Sequence, residues 1–115
     1  MRKFKIVILG FILGFIFIPL ALAHPPSRIE LKFDPKVQEL SIEIKHVSRD
    51  VRKHHIRKLQ VFLNNENILD LTIAQQERNT GLSYHLPVKA KTGDEIKVKA
   101  ICSEAGFKEE TLVVP

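Results

Sequence analysis

An all-β sandwich of antiparallel strands is the fold class that the sequence predicts for the chain after residue 23. Apolar residues recur there at every second position, which places them on one face of an extended chain. Residues that favour turns, chiefly Asn, Gly, Pro and Asp, separate these apolar runs. Both observations favour short strands with one buried face over helices.

The predicted strands follow the chain in order. The alternation is clearest in the segments 29–33, 40–44, 59–63 and 96–102. Further strands are expected around 68–73, 82–88 and 107–114, for a total of about seven, which is typical of an immunoglobulin-like sandwich. The turn signals between them are Asp34-Pro35-Lys36, Asn64-Asn65-Glu66-Asn67, Asn79-Thr80-Gly81 and Thr92-Gly93-Asp94.

Residues 1–23 have the three parts of a secretory signal peptide: a basic start, an apolar run over 6–18, and the small-residue triplet Ala21-Leu22-Ala23. An uncleaved membrane anchor is the alternative, but the apolar run is shorter than the roughly 20 residues that span a bilayer. We therefore expect a single exported domain, residues 24–115, in the periplasm or outside the cell. Contact with the membrane is expected only through an uncleaved signal.

Charge and cysteine content limit the partners of this domain. Without the signal it keeps 15 of 18 basic residues and all 13 acidic residues, a net charge of +2. This small charge and the absence of Trp argue against nucleic-acid binding. Cys102 is the sole cysteine, so no disulfide within the chain can form.

The strand order predicts that four of the five histidines and the cysteine lie at one end of the sandwich. His24 precedes the first strand, His46, His54 and His55 lie between the second and third, and Cys102 ends the sixth. Imidazole and thiolate are ligands for iron, copper or zinc. Each residue also has an ordinary role, since Cys102 fits a buried apolar position and the histidines fit a solvated loop.

Three segments resemble the iron-binding domain of the desulfoferrodoxin and superoxide reductase family. The segment from His46 to Val61 resembles the family's loop with two histidines before a strand. The segment from Thr92 to Phe107 is similar to its late strand ending in a cysteine, and His24-Pro25-Pro26 is similar to the motif of its first ligand. The resemblance implies the same seven-stranded sandwich.

The resemblance also implies a mononuclear non-haem iron site. His24, His46 and His54 would be equatorial ligands and Cys102 the axial thiolate, with His55 as an alternative to His54. The implied reaction is one-electron reduction of superoxide, with a soluble electron donor as partner. The family's fourth histidine corresponds to Ala105, which binds no metal. Whether the domain is an enzyme therefore stays open, and no catalytic residue is assigned.

Two other functions stay open beside this one. Cleavage after Ala23 would leave a free α-amine on His24, and the amine and imidazole together could chelate copper. Alternatively, the domain is a non-catalytic immunoglobulin-like binding module.

Overall fold

The computed structural model describes residues 24–115, which form seven antiparallel strands and confirm the predicted all-β sandwich. The predicted signal peptide lies outside the described residues. The strands are β1 (Arg28–Asp34), β2 (Glu39–Lys45), β3 (Ile56–Leu63), β4 (Glu66–Thr72), β5 (Gly81–Pro87), β6 (Glu95–Cys102) and β7 (Phe107–Val113).

The strands divide into a three-stranded sheet with the order β1-β2-β5 and a four-stranded sheet with the order β4-β3-β6-β7. All of the pairings are antiparallel. Because β2, β3 and β6 have a hydrogen-bonded neighbour on each side, their apolar residues supply most of the core. Within residues 24–115, no helix is long and apolar enough to cross a membrane.

The core forms where the inner faces of the two sheets meet. Alternate residues of β2 and β6 are buried, as period-two burial on a half-buried strand requires. Inner positions of β1, β3 and β5 and two residues that directly follow β5 and β7 complete one cluster: Ile29, Leu40, Ile42, Ile44, Ile56, Leu59, Val61, Leu82, Val88, Ile96, Val98, Ala100 and Val114.

The turn between β3 and β4 is tighter than the sequence predicts. Asn64 and Asn65 both have positive φ, 49° and 71°, and Leu63 pairs directly with Glu66. Two left-handed residues match the twist of a two-residue hairpin, and Asn tolerates this conformation. Strand β4 therefore begins at Glu66, two residues before the predicted start.

Candidate metal centre

The predicted arrangement of loops at one end of the sandwich is confirmed. The segment before β1, the β2–β3 loop and the β6–β7 turn meet there: the N–H of Ser27 donates to the carbonyl of Lys45, and the N–H of Ser103 donates to the carbonyl of His55. Side chains on three distant parts of the sequence are thereby brought within reach of one another.

His46 continues the inward alternation of β2. Ile42, Ile44 and His46 are all buried, and the ring of His46 is 0% exposed. Its backbone is also held by the segment just before β5, because its N–H donates to the carbonyl of Thr80 at 2.9 Å. Burial lowers the pKa of His46 below its ordinary value of 6.5, although the hydrogen bond with Gln76 opposes that shift. A neutral ring that can bind a metal is therefore favoured.

His54 lies at the end of a turn that its own loop stabilises. The carbonyl of Asp50 accepts the N–H of His54 at 2.9 Å, and the carbonyl of His54 accepts the hydroxyl of Ser48. The Nε2 atom of His54 is buried and has no hydrogen-bond partner among residues 24–115. A buried polar atom without a partner is costly, and a metal ion would satisfy it.

His24 reaches the same place from the N-terminal segment. Pro26 is buried and Ser27 bonds to the end of β2, so the chain is fastened just after His24. Pro25 lies against Gly106, where an added Cβ would be 3.2 Å from the Cβ of Pro25. The imidazole of His24 consequently lies 5.1 Å from that of His46 and 5.0 Å from that of His54, between ring centroids.

These residues form the three-histidine group: His24, His46 and His54 each offer a ring nitrogen, and the three nitrogens lie within 4.8 Å of one another. Metal–nitrogen bonds of about 2.1 Å place tetrahedral nitrogen ligands about 3.4 Å apart. Small side-chain movements would therefore close the group around one ion. The donor set and the unpartnered nitrogen of His54 both fit a transition metal.

Cys102 is at the same end of the sandwich but outside the three-histidine group. It pairs with Ile56 across β6 and β3, is 4% exposed, and accepts the N–H of Glu104 on its sulfur at 3.4 Å. Its burial agrees with the inward position expected from the sequence. Its role as a metal ligand stays a prediction.

The other two histidines are also outside the group. The Nε2 atom of His55 lies 3.0 Å from the carbonyl oxygen of Ile73, which directs the ring toward β4. Its Nδ1 atom is buried without a partner within the described part of the chain, so His55 as an alternative ligand also stays a prediction. His85 is exposed on the edge strand β5, with Nδ1 at 3.2 Å from the hydroxyl oxygen of Ser41.

An open cleft of about 380 Å³ borders the group. Charges of both signs line it, with Arg49 and Asp50 on one loop and Glu104 on the other. The backbone N–H of Arg52 donates to Asp50 and lowers the pKa of its carboxyl, so Asp50 is ionised at neutral pH. A small molecule could thus reach His24 and His54 from solvent.

Gln76 is a site residue that sequence reasoning missed. It follows β4, is 1% exposed, and contacts the ring of His46 with its side-chain oxygen 2.8 Å from Nδ1. Within the sequence it is one of two adjacent glutamines in a polar stretch, and nothing distinguishes it from its exposed neighbour Gln75. Only the folded structure identifies its burial.

The fold and the three-histidine group define a β-sandwich domain with a candidate transition-metal centre. No protein-family model matches the sequence, and no curated protein matches it either.

Proposed function

We propose that this chain is an exported metal-binding protein that holds one transition-metal ion through His24, His46 and His54. The observation that carries the proposal is the convergence of three imidazole nitrogens within 4.8 Å, from three separate segments of the chain. Nitrogen ligands favour iron, copper or zinc over the oxygen-seeking cations calcium and magnesium.

The finer proposal is a mononuclear iron site that reduces superoxide, as the family resemblance suggests. Cys102, whose sulfur accepts the N–H of Glu104, would add a thiolate ligand to the three imidazoles. Superoxide would take one electron from ferrous iron and two protons from water to give hydrogen peroxide. A soluble electron donor would then return the iron to its ferrous state.

A copper protein is the second candidate, and the all-nitrogen composition of the group favours it. The sulfur of Cys102 does not belong to the group, and divalent copper binds imidazole tightly. Signal cleavage after Ala23 would add the α-amine of His24 as a further nitrogen on the same residue. This candidate needs no axial sulfur.

Metal titration of the purified exported protein tests these proposals. Ferrous iron is added under reducing, oxygen-free conditions, and copper and zinc are added separately, with binding followed by calorimetry and metal analysis. We expect one ion per chain, loss of binding in His54→Ala, and unchanged binding in the exposed control His85→Ala. Absence of binding for all three metals would leave a non-catalytic β-sandwich module.

Cys102→Ala separates the two candidates. If iron binds with the thiolate, the oxidised protein has a sulfur-to-iron charge-transfer band that Cys102→Ala abolishes, together with superoxide reductase activity. If copper is the physiological metal, Cys102→Ala leaves copper affinity unchanged, whereas blocking the α-amine lowers it.

A further inference from the structure

The side-chain amide of Gln76 makes four hydrogen bonds, of which three are buried and one, to Arg78, is partly buried. The Nε2 atom donates to the carbonyls of His46 and Arg78, both at 2.8 Å. The Oε1 atom accepts the backbone N–H of Ile56 at 3.1 Å and lies 2.8 Å from Nδ1 of His46. A single side chain therefore connects the end of β2, the start of β3 and the segment before β5.

The backbone fixes which way this amide points. In the reversed orientation, the amide oxygen would face two carbonyl oxygens and the amide nitrogen would face the N–H of Ile56. Like groups would then oppose one another at three contacts, two of which are buried, and a buried polar group without a partner is costly. The orientation of Gln76 is thus determined without reference to the ring of His46.

This orientation determines the tautomer of His46. The Oε1 atom of Gln76 can only accept, so Nδ1 of His46 must carry a proton and donate it. In a neutral ring, the Nε2 atom is then left with a lone pair. That atom lies 3.3 Å from the carbonyl oxygen of His24, which can accept a hydrogen bond from Nε2 only when both ring nitrogens carry a proton.

We infer that Gln76 is a positioning residue of the metal centre: it holds His46 in the Nδ1-protonated form and presents the Nε2 lone pair to the ion. The inference rests on the proposed metal binding. A hydrogen bond to the second nitrogen of a ligating imidazole fixes its tautomer and orientation.

Nitrogen NMR of the wild-type protein without metal tests the tautomer directly. We expect the signal of a protonated nitrogen for Nδ1 of His46 and that of an unprotonated nitrogen for Nε2. The spectra are recorded over a pH range that includes the neutral ring, and a neutral ring protonated on Nε2 instead of Nδ1 would overturn the inference. This measurement needs no variant and no bound metal.

Binding of Zn²⁺ alone to Gln76→Ala, with Gln75→Ala as the matched control, tests the positioning role. We expect Gln76→Ala to bind Zn²⁺ about 10- to 100-fold more weakly and to populate the other tautomer of His46, whereas Gln75→Ala resembles the wild type. Equal Zn²⁺ affinity in all three proteins would refute the positioning role and leave the proposed function standing. Failure of the wild type to bind any of the three metals would instead refute the proposed function. If Gln76→Ala does not fold, the wild-type tautomer decides.

Discussion

Gly81 is the residue whose substitution should disturb the fold and the metal centre together. It begins β5 with φ of +148°, and a Cβ there would lie 1.8 Å from the carbonyl oxygen of Ile44 and 3.3 Å from the amide nitrogen of His46. The backbone of β2 approaches so closely that no side chain fits. In Gly81→Ala, the two strands must move apart at the point where His46 leaves the sheet.

The expected loss can be worked out from these contacts. An alanine held at positive φ costs about 1–3 kcal/mol. Separating the strands also weakens the pairing of Lys45 with Gly81 and the hydrogen bond from His46 to Thr80, at about 1 kcal/mol each. We therefore expect Gly81→Ala to lower the free energy of unfolding by about 3–5 kcal/mol.

Gly93→Ala is the matched control. Gly93 also has positive φ, +92°, but an added Cβ would meet nothing within 4 Å. Its substitution should cost the backbone strain alone, about 1–3 kcal/mol. Urea unfolding of both variants measures the difference, and Zn²⁺ titration should show weaker binding only in Gly81→Ala. Equal losses of stability would refute the claim that the close approach of Gly81 to β2 positions His46.

Three further predictions concern the apolar core, the stability of the protein at acidic pH, and the reactivity of the Cys102 thiol. Leu59 is 0% exposed, so Leu59→Ala should lower the free energy of unfolding by about 2–5 kcal/mol in a urea titration. Ile68 is 40% exposed, so Ile68→Ala should lower it by about 1 kcal/mol or less in the same titration. The hydroxyl of Ser83 donates to Glu43 and lowers the pKa of its carboxyl below the ordinary value of 4.5. The ionised carboxylate therefore stabilises the folded protein at neutral pH, and this stabilisation is lost as the pH falls below 4.5 and the carboxyl is protonated. Urea unfolding midpoints of Glu43→Gln should accordingly fall less on acidification than those of the wild type. Cys102 should react with a thiol reagent at a rate that rises with urea, since it is 4% exposed; rapid labelling of the native protein would contradict its burial.

The strands could be predicted because burial on one face leaves a period of two in the sequence. That period persists through Ile42 and Ile44 and continues into His46, which is buried rather than in the solvated loop that its basic surroundings suggest. The hairpin at Asn64 and Asn65 was expected as a longer turn, because the pattern does not reveal that both residues have positive φ.

The candidate site could be predicted only in part. Antiparallel strand directions place the three loops at one end, so the placement of His24, His46 and His54 at that end could be expected from topology, whereas the close approach of their ring nitrogens could not. The choice between His54 and His55 depends on how the loop turns after Asp50, and adjacent residues in a loop have no periodicity to separate them. The contact of Gln76 with His46 spans 30 residues and depends on a buried amide for which the sequence has no signal.

The candidate metal centre is separate from the core that stabilises the fold. The cluster of buried apolar residues joins both sheets, and none of its members belongs to the three-histidine group. Zinc-finger domains, by contrast, fold only with their metal because they lack such a core. Folding here is therefore expected to need no metal. Because His46 and His54 are held by the β2–β3 loop and His24 is fastened through Ser27 and Pro25, the proposed binding of an ion would need only small side-chain movements. Little of the free energy of metal binding would then be lost in ordering the chain, so more of it would contribute to affinity.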